Sequence, residues 1–307
     1  MSIVRGKIVR GVGGLYTVYS EDGSEIPCRA RGVFRHEGQT PLAGDDVLVS
    51  LPEDGTEEAR ISELLPRKNS LLRPAMANLS YLFLVCAARE PDPSLRFLDK
   101  LLSILEHESI EPVLIVTKSD LDPERAGKLC LKYRKCGFSV FSTDAGGSGD
   151  EEIRSFLRSR LDAGSVSAFS GVSGAGKSTL LNRLFPSLSL ETGVLSEKIA
   201  RGKHTTRTVE LYPLSRLCDG FSGFLADTPG FSMLDFERFD FFSVEDLPLT
   251  FREFVPYLGT CRYSKCTHVC EEGCAILAAV DAKVIPRSRH ISYAELFAAL
   301  KDKHEWK

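Results

Sequence analysis

The chain has 307 residues, of which 43% are hydrophobic and 26% charged, and 39 basic against 42 acidic residues leave a net charge of -3. Such a length predicts about two domains, or three small ones. The composition is that of a folded globular protein and excludes a disordered tail or a collagen-like rod. It also excludes a chain that is basic throughout. Residues 1–35 nevertheless hold six basic residues (Arg5, Lys7, Arg10, Arg29, Arg31, Arg35) against three acidic ones. An excess of that size fits a solvated face as well as a nucleic-acid contact.

The opening segment, MSIVRGKIVRG, alternates charged with apolar residues and lacks the apolar core of a signal peptide. Up to about residue 65 the chain shows short alternating runs at Gly6–Val9, Leu15–Val18 and Asp46–Leu51, punctuated by Gly-Gly, Asp-Gly and Pro. This pattern predicts a small antiparallel β-barrel, OB-like or SH3-like. Tyr81–Ala88 is the longest uninterrupted apolar run. It falls far below the ~18 residues of a membrane span and reads instead as a strand covered on both faces. A cytosolic protein without membrane attachment is therefore expected.

Leu95, Leu98, Leu101, Leu102 and Leu105 follow a helical spacing. Pro112–Thr117, Phe138–Ser142 and Val166–Ser170 predict further strands, separated by helices near 124–136 and 150–161. Strand and helix alternating at this spacing imply a parallel sheet with flanking helices. An aromatic run (Phe236, Phe239, Phe241, Phe242) then leads to a cysteine-rich stretch and to a helical pattern on Tyr293, Leu296, Phe297 and Leu300.

Nine cysteines are present. Cys28, Cys86, Cys130, Cys136 and Cys218 are scattered and read as small buried apolar residues. Cys261, Cys266, Cys270 and Cys274 lie within fourteen residues, which in a reducing compartment points to a metal rather than to disulfides. Cys261-x₄-Cys266-x-His268-x₅-Cys274 offers three thiolates and an imidazole, a set that suits a closed tetrahedral Zn²⁺. Cys270 is a fifth potential ligand, so an all-cysteine site competes on spacing alone.

Gly171-Val172-Ser173-Gly174-Ala175-Gly176-Lys177-Ser178 matches the phosphate-binding pattern G-x-x-x-x-G-K-[ST]. It follows an apolar strand and opens an amphipathic helix on Leu180, Leu181 and Leu184, as the motif requires. Its backbone N–H groups would close around phosphate oxygens, with Thr179 next in the chain. Lys177 would reach the β- and γ-phosphates and Ser178 would ligate Mg²⁺. Asp227-Thr-Pro-Gly230 follows the strand Phe224–Ala226 and is similar to the D-x-x-G of GTPases, Asp227 acting on Mg²⁺ and Gly230 meeting the γ-phosphate.

Thr117-Lys118-Ser119-Asp120 resembles the guanine-reading N-K-x-D, in which a carboxylate accepts from guanine N1 and N2. Phe141-Ser142-Thr143-Asp144 stands where GTPases set a loop against guanine O6. Each tetrapeptide alone is weak, but all four signals fall at strand C-termini, where open α/β sheets bind ligands. The guanine-reading loops precede the P-loop, which is a circular permutation of the usual GTPase order.

With the Pro41-Leu-Ala-Gly-Asp45 turn, Arg67…Arg73-Pro74, Arg201-Gly-Lys-His-Thr-Thr206 and the cysteine cluster, these motifs span nearly the whole chain. The sequence resembles the circularly permuted, ribosome small subunit-dependent GTPase A family. The resemblance implies an α/β protein in three parts: an RNA-binding OB-like barrel (1–66), a permuted P-loop GTPase domain (67–235) and a zinc-binding domain with a C-terminal helix (236–307). It implies GTP or GDP, Mg²⁺ and one Zn²⁺ held by Cys261, Cys266, His268 and Cys274. It also implies a monomer that binds the small ribosomal subunit and its rRNA, assists late maturation and leaves on hydrolysis.

Thr117 departs from the family's Asn, which ties the guanine loop to the P-loop; its hydroxyl suggests looser nucleotide binding with guanine specificity kept. Thr205 or Thr206 would meet Mg²⁺ and the γ-phosphate. Phe231 stands close to where other GTPases carry a water-orienting Gln, so His204 is the candidate for that role. The competing reading is a P-loop small-molecule kinase or transport-associated NTPase with flanking dimerisation domains.

Overall fold

A computed structural model describes residues 2–32, 34, 39–52, 58–72, 74–188, 209–227 and 243–304. The aromatic run at 236–242 lies outside the described residues. Two compact units comprise the described parts of Met1–Leu82, Arg154–Phe169 and Ser178–Phe231, and of Phe83–Ile153, Ser170–Lys177 and Ser232–Lys307.

In the first unit, β1 (Ser2–Val12), β2 (Leu15–Ser20), β3 (Glu25–Ala30), β4 (Asp46–Leu51) and β5 (Ala59–Leu64) form a closed barrel of order β1-β2-β3-β5-β4. Strand alternation drives it: Val47 and Val49 on β4 are fully buried, with Ile8, Val18, Cys28, Phe34 and Ile61 completing the core. β1 pairs antiparallel with both β2 and β4, while β3 and β5 run parallel. Five strands closed in this order settle the choice of barrel in favour of the OB-like form.

The Pro41–Asp45 turn is held by its own last residue. Asp45, wholly buried, accepts the Leu42 N–H at 2.7 Å and a two-pronged bond from the Arg67 guanidinium at 2.6 and 2.7 Å. The turn before β4 and the segment that follows β5 thus meet in one charge-assisted pair, the geometry for which arginine is suited. A hairpin of β6 (Ser70–Leu72) and β7 (Ala75–Ala77) comes next, and Asn78 just after it donates to the Gly44 carbonyl at 2.9 Å.

Six strands follow the order β10-β9-β8-β11-β13-β12. They are β8 (Leu79–Ala87), β9 (Glu111–Thr117), β10 (Ser139–Ser142), β11 (Val166–Gly171), β12 (Glu210–Pro213) and β13 (Phe224–Asp227). The first half of β8 belongs to the first unit and its second half to the other. β10 with β9 and β11 with β13 are parallel, as the alternation predicts. β12 instead pairs antiparallel with β13. Its connection to β13 is too short for the crossover a parallel neighbour needs, and holds one helical turn, Leu214–Leu217.

Between these strands run α1 (Leu95–His107), α2 (Pro123–Lys135), α3 (Asp150–Arg160) and α4 (Lys177–Leu184). α2 starts immediately behind the guanine-type loop. Asp122 caps it by accepting the Arg125 N–H at 3.0 Å, Pro123 occupies its first turn, and Lys132, Arg134 and Lys135 face its negative end. Of the scattered cysteines, Cys28, Cys86, Cys130 and Cys136 are buried, while Cys218 is only half-buried.

The C-terminal part of the second unit carries α5 (Ala275–Asp281) and α6 (Arg287–His304) around Phe251, Phe254 and Tyr293, all fully buried. Rings of Phe251 and Phe254 lie 5.3 and 4.9 Å from that of Tyr293. Beside them sits a buried charge network. Arg289, 0% exposed, donates to Asp99 at 2.9 Å and to Glu253 at 2.6 Å, and stacks 4.5 Å from the Phe251 ring. Asp99 also accepts from Tyr133 at 2.8 Å and Ser292 at 2.6 Å, joining α1, α2 and α6.

Breaking a buried pair by deleting one partner strands the other charge. Arg289→Met should therefore cost about 3–5 kcal/mol, seen as a fall in the urea midpoint at unchanged slope. Lys128→Ala, which removes an exposed pair with Glu124, should leave that midpoint where it is.

Candidate functional site

The second unit brings three loops together at strand C-termini. The P-loop begins at Gly171, where β11 runs so close to β8 that a Cβ would stand 2.5 Å from the Val85 carbonyl oxygen. Only glycine tolerates that approach. Gly174 and Gly176 take left-handed backbone, and Ala175 donates its N–H to the Val172 carbonyl at 3.1 Å, closing the loop before Lys177 opens α4. Val172, Ser173 and Gly174 are exposed, as a loop that receives phosphate must be.

Thr117 ends β9 and is 4% exposed. Its hydroxyl donates to the Ala175 carbonyl at 2.6 Å, with the Cys86 carbonyl also near at 3.3 Å. The threonine therefore makes the tie between guanine-type loop and P-loop that its hydroxyl suggests. Lys118 has a positive φ of 54°, and its ammonium donates to the Glu90 carbonyl. Ser119 N–H donates to the Thr143 carbonyl at 3.2 Å, and Thr143 N–H to the Val116 carbonyl at 2.9 Å. Asp120 is exposed and accepts the Ala145 N–H at 3.2 Å on Oδ1.

A carboxylate so placed, beside the Ser142 loop, can accept a donor pair on a purine edge, the pair guanine offers and adenine does not. Glu90 and Asp150 belong to no motif, and Ala145 lies in the loop that continues from the Phe141–Asp144 tetrapeptide. Ala145 and Glu90 act through the backbone, so their side chains carried no signal. Asp150 was visible only as the acidic start of a helix.

Ser178 and Thr179 follow Lys177 in α4, and Asp227 is the last residue of β13. Gly230, Phe231, His204, Thr205 and Thr206 lie outside the described residues, as does the Asp227 side chain.

The cysteine-rich segment folds into a cluster. Ligand atoms of Cys261, Cys266, His268 and Cys274 all lie within 4.8 Å of one another. Cys261 Sγ stands 3.9 Å from Cys274 Sγ, and His268 Nδ1 is 3.5 and 3.6 Å from these two sulfurs. Metal–sulfur bonds of about 2.3 Å in a tetrahedron require edges of about this length, so the donor set fits Zn²⁺. Cys270 is exposed and apart from the cluster.

The surrounding bonds hold this geometry. Burial lowers the His268 pKa, keeping the ring in the neutral form that a metal donor needs. Ala275 N–H donates to Cys261 Sγ at 3.3 Å. Glu271 accepts the N–H groups of Thr267, Val269 and Cys270 at 2.7, 3.1 and 3.2 Å, together with the Thr267 hydroxyl. Burial works against its charge, yet these bonds hold its carboxyl down at about 2.

Family comparisons agree with this geometry. Residues 64–237 match the model described as RsgA GTPase, and residues 5–58 the RsgA N-terminal domain. The small ribosomal subunit biogenesis GTPase RsgA of Caldanaerobacter subterraneus subsp. tengcongensis is 41% identical over 307 residues, covering 99% of this chain and 98% of that protein. Its namesake from Moorella thermoacetica is 41% identical over 296 residues, covering 96% and 97%.

Among solved structures, YjeQ from Thermotoga maritima superposes with a TM-score of 0.80 at 32% identity, covering 97% of this chain and 99% of that one. YloQ, described as a circularly permuted GTPase, gives 0.78 at 30% identity, covering 98% and 96%. Permuted motif order, an OB-like barrel ahead of the nucleotide loops and matches along nearly the full length leave one assignment: the chain belongs to the RsgA GTPase family.

Proposed function

We propose that the chain is a GTP-hydrolysing switch that binds the small ribosomal subunit, assists its late maturation and leaves it on hydrolysis. The observation that carries this reading is the Thr117 hydroxyl on the Ala175 carbonyl, which couples a base-reading loop to a phosphate-binding loop. A small-molecule kinase needs the second loop but not an Asp120 set for guanine.

In this reading Asp120 accepts from guanine N1 and N2, while the Gly171–Gly176 backbone, Lys177 and Thr179 hold the phosphates. Ser178 and Asp227 would hold Mg²⁺, which supplies charge neutralisation at the β- and γ-oxygens. Thr205 or Thr206 orders on GTP, and His204 positions the attacking water in place of the Gln that Phe231 does not supply. The working division is 1–66 for rRNA contact, 67–235 for GTP, and 236–307 for a second grip on the subunit, all in a cytoplasmic monomer. Zn²⁺ held by Cys261, Cys266, His268 and Cys274 is structural, since four protein ligands leave no open position for water.

Turnover should be slow alone and rise specifically with added small subunits; equal stimulation by large subunits, or none, counts against the switch. In the stimulated assay His204→Ala should lose ~10²–10⁴-fold in rate with GTP affinity kept, and an unchanged rate gives water positioning to another group.

Asp120→Asn should move preference from GTP toward xanthosine triphosphate, because the amide donates where the carboxylate accepted. Competition binding with both nucleotides reads this directly, and unaltered GTP preference removes Asp120 from the base site.

Replacing Cys261, Cys266, His268 or Cys274 should release one equivalent of zinc and lower the melting temperature while sparing GDP affinity. Cys270→Ser should keep the metal. Metal content measured on purified protein decides the ligand set.

A further inference from the structure

The loop after β10 is closed by a buried pair that joins Thr143 of the Phe141–Asp144 motif to Asp150, a residue outside the nucleotide motifs. Thr143 is 1% exposed and Asp150, the first residue of α3, is 5% exposed. The Thr143 hydroxyl donates to Asp150 Oδ1 at 2.6 Å. Thr143 also bonds through its backbone in both directions, to Val116 at 2.9 Å and from Ser119 at 3.2 Å. It is thus the point at which the loop is sewn to the 117–120 segment. Two residues on, Ala145 N–H meets Asp120 Oδ1.

The return of the loop is equally constrained. Gly149, at φ +92°, passes the Ser142 carbonyl so closely that a Cβ would lie 2.1 Å from its oxygen. Asp150 N–H donates to the Gly147 carbonyl at 3.0 Å, and Ser148 N–H to Asp144 Oδ1 at 2.9 Å. Asp150 therefore enters α3 with its carboxylate turned back onto Thr143, two residues before Ala145.

We propose that Asp150 is a positioning residue for base selectivity: by holding the Thr143 hydroxyl it fixes the Ser142–Gly147 loop where Ala145 N–H orients the Asp120 carboxylate. This role of Asp150 depends on Asp120 being the guanine reader. An exposed Asp side chain rotates freely, and accepting two parallel donors from one base edge demands a single orientation. A fixed N–H on Oδ1 selects it, leaving Oδ2 and the second lone pair of Oδ1 to the base.

The test uses full-length protein and calorimetric affinities for GDP, inosine diphosphate and ADP. Inosine lacks the exocyclic amine, so the ratio of GDP to inosine diphosphate affinity reports one of the two bonds to Asp120. In the wild type this ratio should be about tenfold or more, the equivalent of ~1.4 kcal/mol. Asp150→Ala and the near-isosteric Thr143→Val should bring it close to one, with the diphosphate still bound. Asp150→Asn, which retains an oxygen acceptor for the hydroxyl, should restore it.

Partial misfolding lowers the binding stoichiometry and not this ratio; Thr143→Val supplies the measurement if Asp150→Ala fails to fold. A wild-type ratio kept by Thr143→Val or Asp150→Ala overturns the proposal while leaving Asp120 as reader. So does an Asp150→Asn ratio as low as that of Asp150→Ala, which would assign the effect to charge at the start of α3. Wild-type protein that binds ADP as well as GDP overturns the guanine reading, and this inference with it.

Discussion

One short hydroxyl holds the nucleotide machinery in register. Thr117 stands at the end of β9, nearly inaccessible, and its Oγ1 donates to the backbone of the P-loop at Ala175. Its own carbonyl accepts the Ala88 N–H at 2.8 Å, beyond the end of β8. Segments following three strands are thereby fixed by one residue. A base and its phosphates are joined through a single ribose of limited reach, so the sites that receive them must be kept at a matching separation. Preorganising that separation avoids an ordering cost at the moment of binding.

This constraint explains how a permuted chain still brings the 117–120 segment and the P-loop together. What the nucleotide needs is a set of neighbouring strand ends, and neighbourhood in a sheet depends on hydrogen-bonding order rather than on the order of synthesis. The strand bearing the P-loop can follow the strands bearing the guanine-type loops provided that β8 separates β9 from β11, as the order β10-β9-β8-β11 has it. The barrel precedes this arrangement, and the segment leading out of it is pinned by the Asp45–Arg67 pair.

The C-terminal region uses two means to stay folded. Its cluster of three cysteines and a histidine converges within 4.8 Å, a donor set that fits Zn²⁺, and a bound metal would substitute there for a large apolar core. Its last long helix is oriented by Arg289, which satisfies Asp99 and Glu253 together, with Tyr133 and Ser292 completing the Asp99 shell. Buried charges are expensive to desolvate, so only a seating of α6 that satisfies all of them is tolerated. The result ties the helix beside the cysteine cluster to α2, which starts directly behind Asp120.

The motifs were legible because their chemistry is local. Phosphate binding, metal ligation and guanine reading each require particular residue types at fixed spacing, and those spacings survive permutation. The barrel strands and most of the alternating elements were legible for the same reason, since alternation and helical period are set by near neighbours. What the sequence left open needed partners far along the chain. OB-like and SH3-like barrels share a pattern of alternation and differ in which strands pair. β12 became antiparallel because of a short connection whose effect depends on where β13 lies. Asp99 and Asp150 carry no local signal of burial, yet tertiary packing buries both against hydroxyl or guanidinium donors. His268 rather than Cys270 joins the cysteine cluster because the fold of the loop decides which donors converge, and spacing alone permits either. Local periodicity thus determined the elements and motifs, while the pairing of distant residues decided which strand ends, charges and ligands came together.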